Sequence, residues 1–110
     1  MKTLFLGSQI ALLLTLGAGP ALAAKTGVSA ARGGALVRQH CARCHAVGRT
    51  GTSPETRAPP FRELHKRYDV QNLEEALAEG IVTGHNAMPA FRFDASQIAD
   101  IIGYLKRLER

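Results

Sequence analysis

The chain carries one short segment whose residue types and spacing point to a definite chemistry: Cys41-Ala42-Arg43-Cys44-His45. Two thiols three positions apart lie on nearly one face of a helical turn, and a histidine follows at once. This C-x-x-C-H pattern is the attachment signature of a c-type haem. The thiols suit the two vinyl groups on one haem edge. His45 is then delivered to the iron from the same side, as a neutral imidazole whose other nitrogen needs an acceptor to orient it. Other readings of the pair remain. A thioredoxin-like C-x-x-C needs a preceding strand and a βαβ context, and the sequence offers neither. A zinc site needs two more ligands at workable spacing. A plain disulfide between Cys41 and Cys44 is the simplest alternative.

Haem iron has a second axial position. Met88 lies 43 residues after His45, within Gly84-His85-Asn86-Ala87-Met88-Pro89. A methionine is ordinarily core filler, but one followed by proline in a non-helical loop has little helix surface to fill. A thioether ligand raises the reduction potential, and Met/His ligation is an electron-transfer arrangement. His85 is the rival ligand, with His65 behind it. An open sixth site would instead allow peroxide or gas chemistry. The plain reading of His40, His65 and His85 is that they face solvent or the haem propionates.

The elements that must position these groups read as helices. Ser29 can cap a helix running to about His40. Gly33-Gly34 is a poor choice for its interior, costing about 1 kcal/mol each relative to Ala, unless another helix passes close. Residues 46–60 form a long loop punctuated by Gly48, Gly51, Ser53, Pro54, Pro59 and Pro60, and loops of that length are usually functional. A short helix is expected from Phe61 to about Tyr68. A third is expected after Asn72 as its cap, with Leu73, Ala76 and Leu77 on one face and Gly80 at its end. The last is the clearest. Asp94 and Gln97 form a capping-box start, and Ile98, Ile101, Ile102, Leu105 and Leu108 follow at helical spacing. No segment alternates with period two for long enough to be a strand, so the chain reads as all-α.

Length and composition set the frame. At 110 residues and 11.8 kDa there is room for at most one domain. The apolar share of 45% argues against wholesale disorder. Trp is absent and aromatics are 5%, a thin supply of large core side chains, so something other than side chains could fill the core. Residues 3–24 carry no charge and run from Lys2 through an apolar centre to Ala21-Leu22-Ala23-Ala24. That is the pattern of a secretory signal peptide. We expect residues 1–23 to be the signal peptide, cleaved after Ala23, and residues 24–110 to be one mature domain in an oxidising compartment. An uncleaved membrane anchor is the alternative. The chain has 14 Lys and Arg against 9 Asp and Glu, a formal charge of +5. All ten arginines lie in the mature part. Nucleic acid is a poor partner for an exported chain with no aromatic–basic interleaving.

Over residues 29–108 the chain resembles the class I c-type cytochromes, small single-haem electron carriers. The resemblance rests on Cys41-Ala42-Arg43-Cys44-His45 near the mature N-terminus, on Met88-Pro89 downstream, and on the C-terminal helix. It implies a cytochrome c-like all-α fold, with short helices wrapped around one haem c attached by two thioethers. Its iron would be held by His45 and Met88. The family places a glycine and an apolar residue eight and four positions before the first haem cysteine, here Gly33 and Val37. Its last helix crosses the first through an aliphatic and an aromatic residue, similar to Ile101 and Tyr104. A proline-bearing segment usually offers a backbone carbonyl to the proximal imidazole, and Ala58-Pro59-Pro60-Phe61 is similar, with Pro59 as the expected residue. The tryptophan that binds a propionate in mitochondrial members is missing. Tyr68, Arg57 and Arg62 are the candidate substitutes.

The implied function is periplasmic one-electron transfer, not enzymatic catalysis. Donor dehydrogenases and acceptor oxidases or peroxidases would dock through acidic surfaces on a positive collar. Membrane contact is expected only if the N-terminal segment stays uncleaved. Two other functions remain: a haem domain with an open or labile sixth site handling peroxide or a gas, and a haem subunit of a larger dehydrogenase or oxidase complex.

Overall fold

A computed structural model describes residues 27–80 and 88–110, together with Gly17 and Gly19. The rest of the expected signal peptide, its cleavage point and His85 lie outside the described residues. Among the described residues there are three α-helices and no strand: α1 (Ala30–His40), α2 (Leu73–Glu79) and α3 (Ala95–Leu108). Two 3₁₀ helices, Phe61–Lys66 and Val70–Asn72, lie between α1 and α2. No helix among the described residues is long and apolar enough to cross a membrane.

Helix α1 starts where Ser29 accepts a hydrogen bond from the Arg32 backbone N–H. The Ser29 backbone N–H donates in turn to Asp100 Oδ1 at 2.7 Å, and Arg32 Nε reaches Asp100 Oδ2 at 2.7 Å. The start of α1 is thereby bolted to the middle of α3. Helix α3 opens on a complete capping box. Asp94 accepts from the Gln97 N–H at 2.8 Å, and the Gln97 side chain accepts from the Asp94 N–H at 3.0 Å. Arg49, from the long loop, donates to the carbonyls of Arg107 and Arg110 at the end of α3, which satisfies acceptors that a helix C-terminus leaves open.

The crossing of α1 and α3 explains the paired glycines. A Cβ on Gly33 would overlap the Asp100 carbonyl and come within 2.9 Å of the Ile101 nitrogen. One on Gly34 would sit 3.0 Å from the Tyr104 ring. The helix gives up propensity at both positions to bring two backbones into contact. Val37, Ile98, Ile101, Ile102, Leu105 and Leu108 then close the core, with Phe61, Leu64 and Val70 added from the 3₁₀ helices.

The middle of the chain departs from the expected layout in two places. Phe61–Lys66 is 3₁₀ rather than α-helical; Pro60 can give no backbone N–H and the segment is a short connector, where the tighter turn is common. Asn72 makes no side-chain cap on α2. The cap stands earlier, where Asp69 accepts from the Gln71 N–H at 3.0 Å and starts the 3₁₀ turn that runs directly into α2. Gly80 ends α2 as expected, at φ +74° in the left-handed region where glycine carries no steric cost.

Candidate functional site

Helix α1 ends at His40, and the chain turns at once through the cysteine motif. The backbone N–H groups of Cys44 and His45 both donate to the Cys41 carbonyl, at 3.2 and 3.0 Å. This tight turn carries Cys41, Cys44 and His45 on consecutive short arcs. Both cysteines are half-buried free thiols. Burial pushes the Cys41 thiol up to about 11, so at neutral pH it stays protonated and uncharged, matching an apolar surrounding.

His45 is buried. Its Nδ1 lies 2.8 Å from the Pro59 carbonyl oxygen. A carbonyl can only accept, so Nδ1 is the donating nitrogen and Nε2 is the one left to face another partner. The long loop that supplies Pro59 is fastened on both sides of it. The Phe61 N–H donates to the Ala46 carbonyl at 2.9 Å, the Ala46 N–H to Ser53 Oγ at 2.9 Å, and the Glu55 N–H to the Cys44 carbonyl at 3.1 Å. The Tyr104 hydroxyl, from α3, also donates to the Val47 carbonyl. The length of this loop is thus spent on wrapping the cysteine turn.

His45 and Cys41 open onto a cavity of about 690 Å³, well within the range of ligand pockets. Its wall is mainly apolar, with Val37, Phe61, Leu64, Leu77, Ile101 and Leu105 among the lining residues. Met88 and Pro59 stand on the same wall. Cys44 does not; it borders an adjoining groove of about 330 Å³, which shares Cys41, His45 and Met88 with the cavity. The structure therefore gathers Cys41, Cys44, His45, Met88 and Pro59 around one continuous concave surface. A large flat apolar group that brings its own metal fits this wall. Among the described residues no group of three or more His, Cys, Asp or Glu side chains is arranged to hold a metal ion.

Of the three candidate propionate partners, Arg57 and Tyr68 line the cavity and Arg62 does not. Arg62 nevertheless has a buried Nη1 with no hydrogen-bond partner among the described residues. Arg67 also lines the cavity and was not expected there; its place at the end of a 3₁₀ rather than an α-helical turn hid it from helical periodicity. Burial raises the Tyr68 hydroxyl above its usual range, with the Arg67 charge opposing. His65 is exposed, as expected. His40 is not solvent-facing: it is half-buried against the rings of Phe91 and Phe93. No periodic pattern links position 40 to positions 91 and 93, so only the tertiary fold reveals that contact.

Comparison with known proteins agrees with this geometry. The family model for subunit III of the cbb3-type cytochrome c oxidase matches residues 28–105. Cytochrome c6 of a Picosynechococcus species is 34% identical over 92 residues, covering 78% of this chain and 75% of that protein. The chain is a class I c-type cytochrome. No solved structure matches it at comparable significance. As a member of this family it is an all-α haem protein that carries electrons and is not an enzyme, and its cofactor is a covalently bound haem c with its iron. The aromatic-poor composition has its explanation here, since the cofactor is the largest apolar body in the core.

Proposed function

We propose that this cytochrome is a periplasmic electron shuttle with His45 and Met88 as axial ligands and Cys41 and Cys44 as thioether donors. One observation carries the reading: Cys41, His45 and Met88 line one apolar cavity, while the Pro59 carbonyl occupies the Nδ1 side of the imidazole. Once bound, the haem supplies a one-electron ferric–ferrous couple. The chain's part is to hold that couple still. Pro59 fixes the tautomer and orientation of His45, so Nε2 is the donor in both oxidation states. Met88 contributes a neutral thioether, which favours the reduced state. The apolar wall excludes water, which limits the rearrangement that accompanies each transfer. Arg57, Tyr68 and Arg62 are the proposed propionate partners, with Arg67 added by its position on the wall.

Export follows from the uncharged segment 3–24, with residues 1–23 as a signal peptide cleaved after Ala23 and 24–110 as the mature protein. The surplus of cations, with all ten arginines beyond the cleavage point, suits redox partners with acidic docking faces, such as a donor dehydrogenase and an acceptor oxidase or peroxidase. A second reading has one specific observation behind it, the match to an oxidase subunit model: the chain would serve as a haem subunit within a larger complex. Intact mass and co-purification separate the two, because a shuttle is recovered alone at the mass of residues 24–110 plus one covalently attached haem.

The test of ligation is spectroscopic. The secreted protein is expected to be low-spin, with a weak far-red thioether–iron band and no rapid carbon monoxide uptake. Met88→Ala is expected to lose that band, bind carbon monoxide quickly and show a lower potential. A high-spin ferric spectrum with ready carbon monoxide uptake in the unmodified protein would replace the shuttle with a gas-binding or peroxidatic function.

A further inference from the structure

Three rings meet at the rim of the cavity. His40, the last residue of α1, stands edge-on to Phe91 with ring centres 5.8 Å apart at 65°. It stands edge-on to Phe93 at 5.3 Å and 78°. Phe91 and Phe93 lie 6.0 Å apart at 30°. All three side chains are half-buried, and none belongs to the fully buried core. Edge-to-face and offset pairs at these distances attract beyond the area they bury.

The position of this cluster matters more than its packing. His40 immediately precedes Cys41, so it is rigidly tied to the haem-attachment turn. Phe91 follows Met88 by three residues, a span of at most about 11 Å for an extended chain. His40, Met88, Pro89 and Phe91 border the same groove. Phe91 and Phe93 both line the cavity, whereas Arg92 between them packs over Gly80. Beyond Phe91 the chain is fixed twice more: the Phe93 N–H donates to the Leu77 carbonyl at 3.0 Å, and Asp94 opens α3. The contact of Phe91 with His40 therefore ties the segment that follows Met88 directly to the attachment turn.

We infer that His40, Phe91 and Phe93 form an aromatic clasp that ties the Met88 segment to the attachment turn and sets how readily the sixth ligand leaves the iron. The inference rests on Met88 being that ligand. A neutral thioether binds through placement rather than charge, so its residence depends on how short and stiff its tether is. With the clasp closed, the tether runs from Phe91. With it open, the tether runs from Phe93, held by its N–H bond to the Leu77 carbonyl, and Met88 gains two residues of slack. His40 is thus a positioning residue for Met88.

The test compares carbon monoxide binding to the ferrous holoprotein in the unmodified chain and in His40→Ala, Phe91→Ala, His40→Phe and Met88→Ala. Departure of Met88 should limit the rate in the unmodified protein. His40→Ala and Phe91→Ala each remove two ring pairs and are expected to raise that limiting rate by about tenfold or more. Both should keep the thioether–iron band. His40→Phe keeps a ring at the contact and should return the rate to near the unmodified value. In hydrogen exchange the Phe93 amide should lose protection in the two alanine variants while the amides of α1 and α3 do not. If both alanine variants bind carbon monoxide at the unmodified rate while Met88→Ala binds it fast, the clasp is wrong and the ligand assignment stands. A lowered melting temperature with an unchanged rate also overturns it, because ordinary packing would explain that result. If Met88→Ala changes nothing, the ligand assignment itself fails and the inference falls with it.

Discussion

The two faces of the row Val37, Ile101 and Leu105 are built on opposite principles. On one side α1 and α3 meet backbone to backbone, through Gly33 against Asp100 and Ile101. That contact is reinforced by Asp100, which accepts from both Ser29 and Arg32. On the other side the same row faces the cavity, across which stand α2 and the segment from Met88 to Phe93. Helix α3 has six fully buried residues; α2 has none, and its two leucines, Leu73 and Leu77, both line the cavity. The first side is closed by the protein's own atoms. The second is shaped to close on something else. A chain this short buries a modest share of its surface, and on the proposed reading it divides the task between a protein-built half and a half completed by the haem.

Removing the attachment should break the comparison most severely. In a Cys41→Ser/Cys44→Ser double variant, the amides of α2 and of the Phe61–Lys66 turn are expected to exchange nearly as fast as frayed termini. Those of α1 and α3 should retain residual protection. Native-state hydrogen exchange against the haem-loaded protein reads this directly. Equal protection across both halves would mean that the cavity side stands without its cofactor. Uniform loss would mean that the α1–α3 crossing is no more autonomous than the rest.

The next largest effect is expected at the crossing. Gly33→Ala gains up to about 1 kcal/mol of helix propensity, but the new methyl meets the backbone of Asp100 and Ile101, which cannot rotate away. Overpacking of that kind costs about 1–3 kcal/mol or more. We therefore expect Gly33→Ala to be destabilising by roughly 2 kcal/mol or more in urea titration. Gly34→Ala meets the Tyr104 ring and the end of the flexible Arg38 side chain, both of which can shift by tenths of an ångström, and it should cost less than about 1 kcal/mol. Equal costs at the two positions would show that the crossing is softer than its backbone contact implies.

The two halves were also unequally legible in the sequence. Periodicity in Ile98, Ile101, Ile102, Leu105 and Leu108 and the Asp94–Gln97 box place α3 almost to the residue, because burial against protein writes a 3.6-residue pattern. The extent of α1 follows from Ser29, and the glycine pair already demands a close neighbour. On the cavity side the pattern fades. Phe61 and Leu64 line a cavity whose shape no residue spacing encodes, and the segment around them is 3₁₀. Arg67 on the cavity wall and His40 beside Phe91 and Phe93 join residues brought together by the fold alone. The cysteine motif was readable because covalent chemistry requires a fixed local spacing, whereas the residues enclosing the cofactor need only reach it.

The helix caps offer the finest test of the division. Asp94 opens α3 with two reciprocal hydrogen bonds, and its loss should cost about 1 kcal/mol. Because α3 belongs to the protein-built half, Asp94→Ala should lower the stability of the whole domain by that amount. Asp69 makes the comparable bond to the Gln71 N–H, yet it starts a short turn leading into a helix with no fully buried residue. Asp69→Ala should therefore appear mainly as faster exchange of the amides of residues 70–79, with little change in the global midpoint. Asn72→Ala, at the position where the sequence suggests the cap but no side-chain bond forms, should change neither. If Asp69→Ala shifts the global midpoint as far as Asp94→Ala does, then α2 unfolds together with α3. The haem-bound domain would in that case behave as a single cooperative unit, whatever the difference in how its two halves are built.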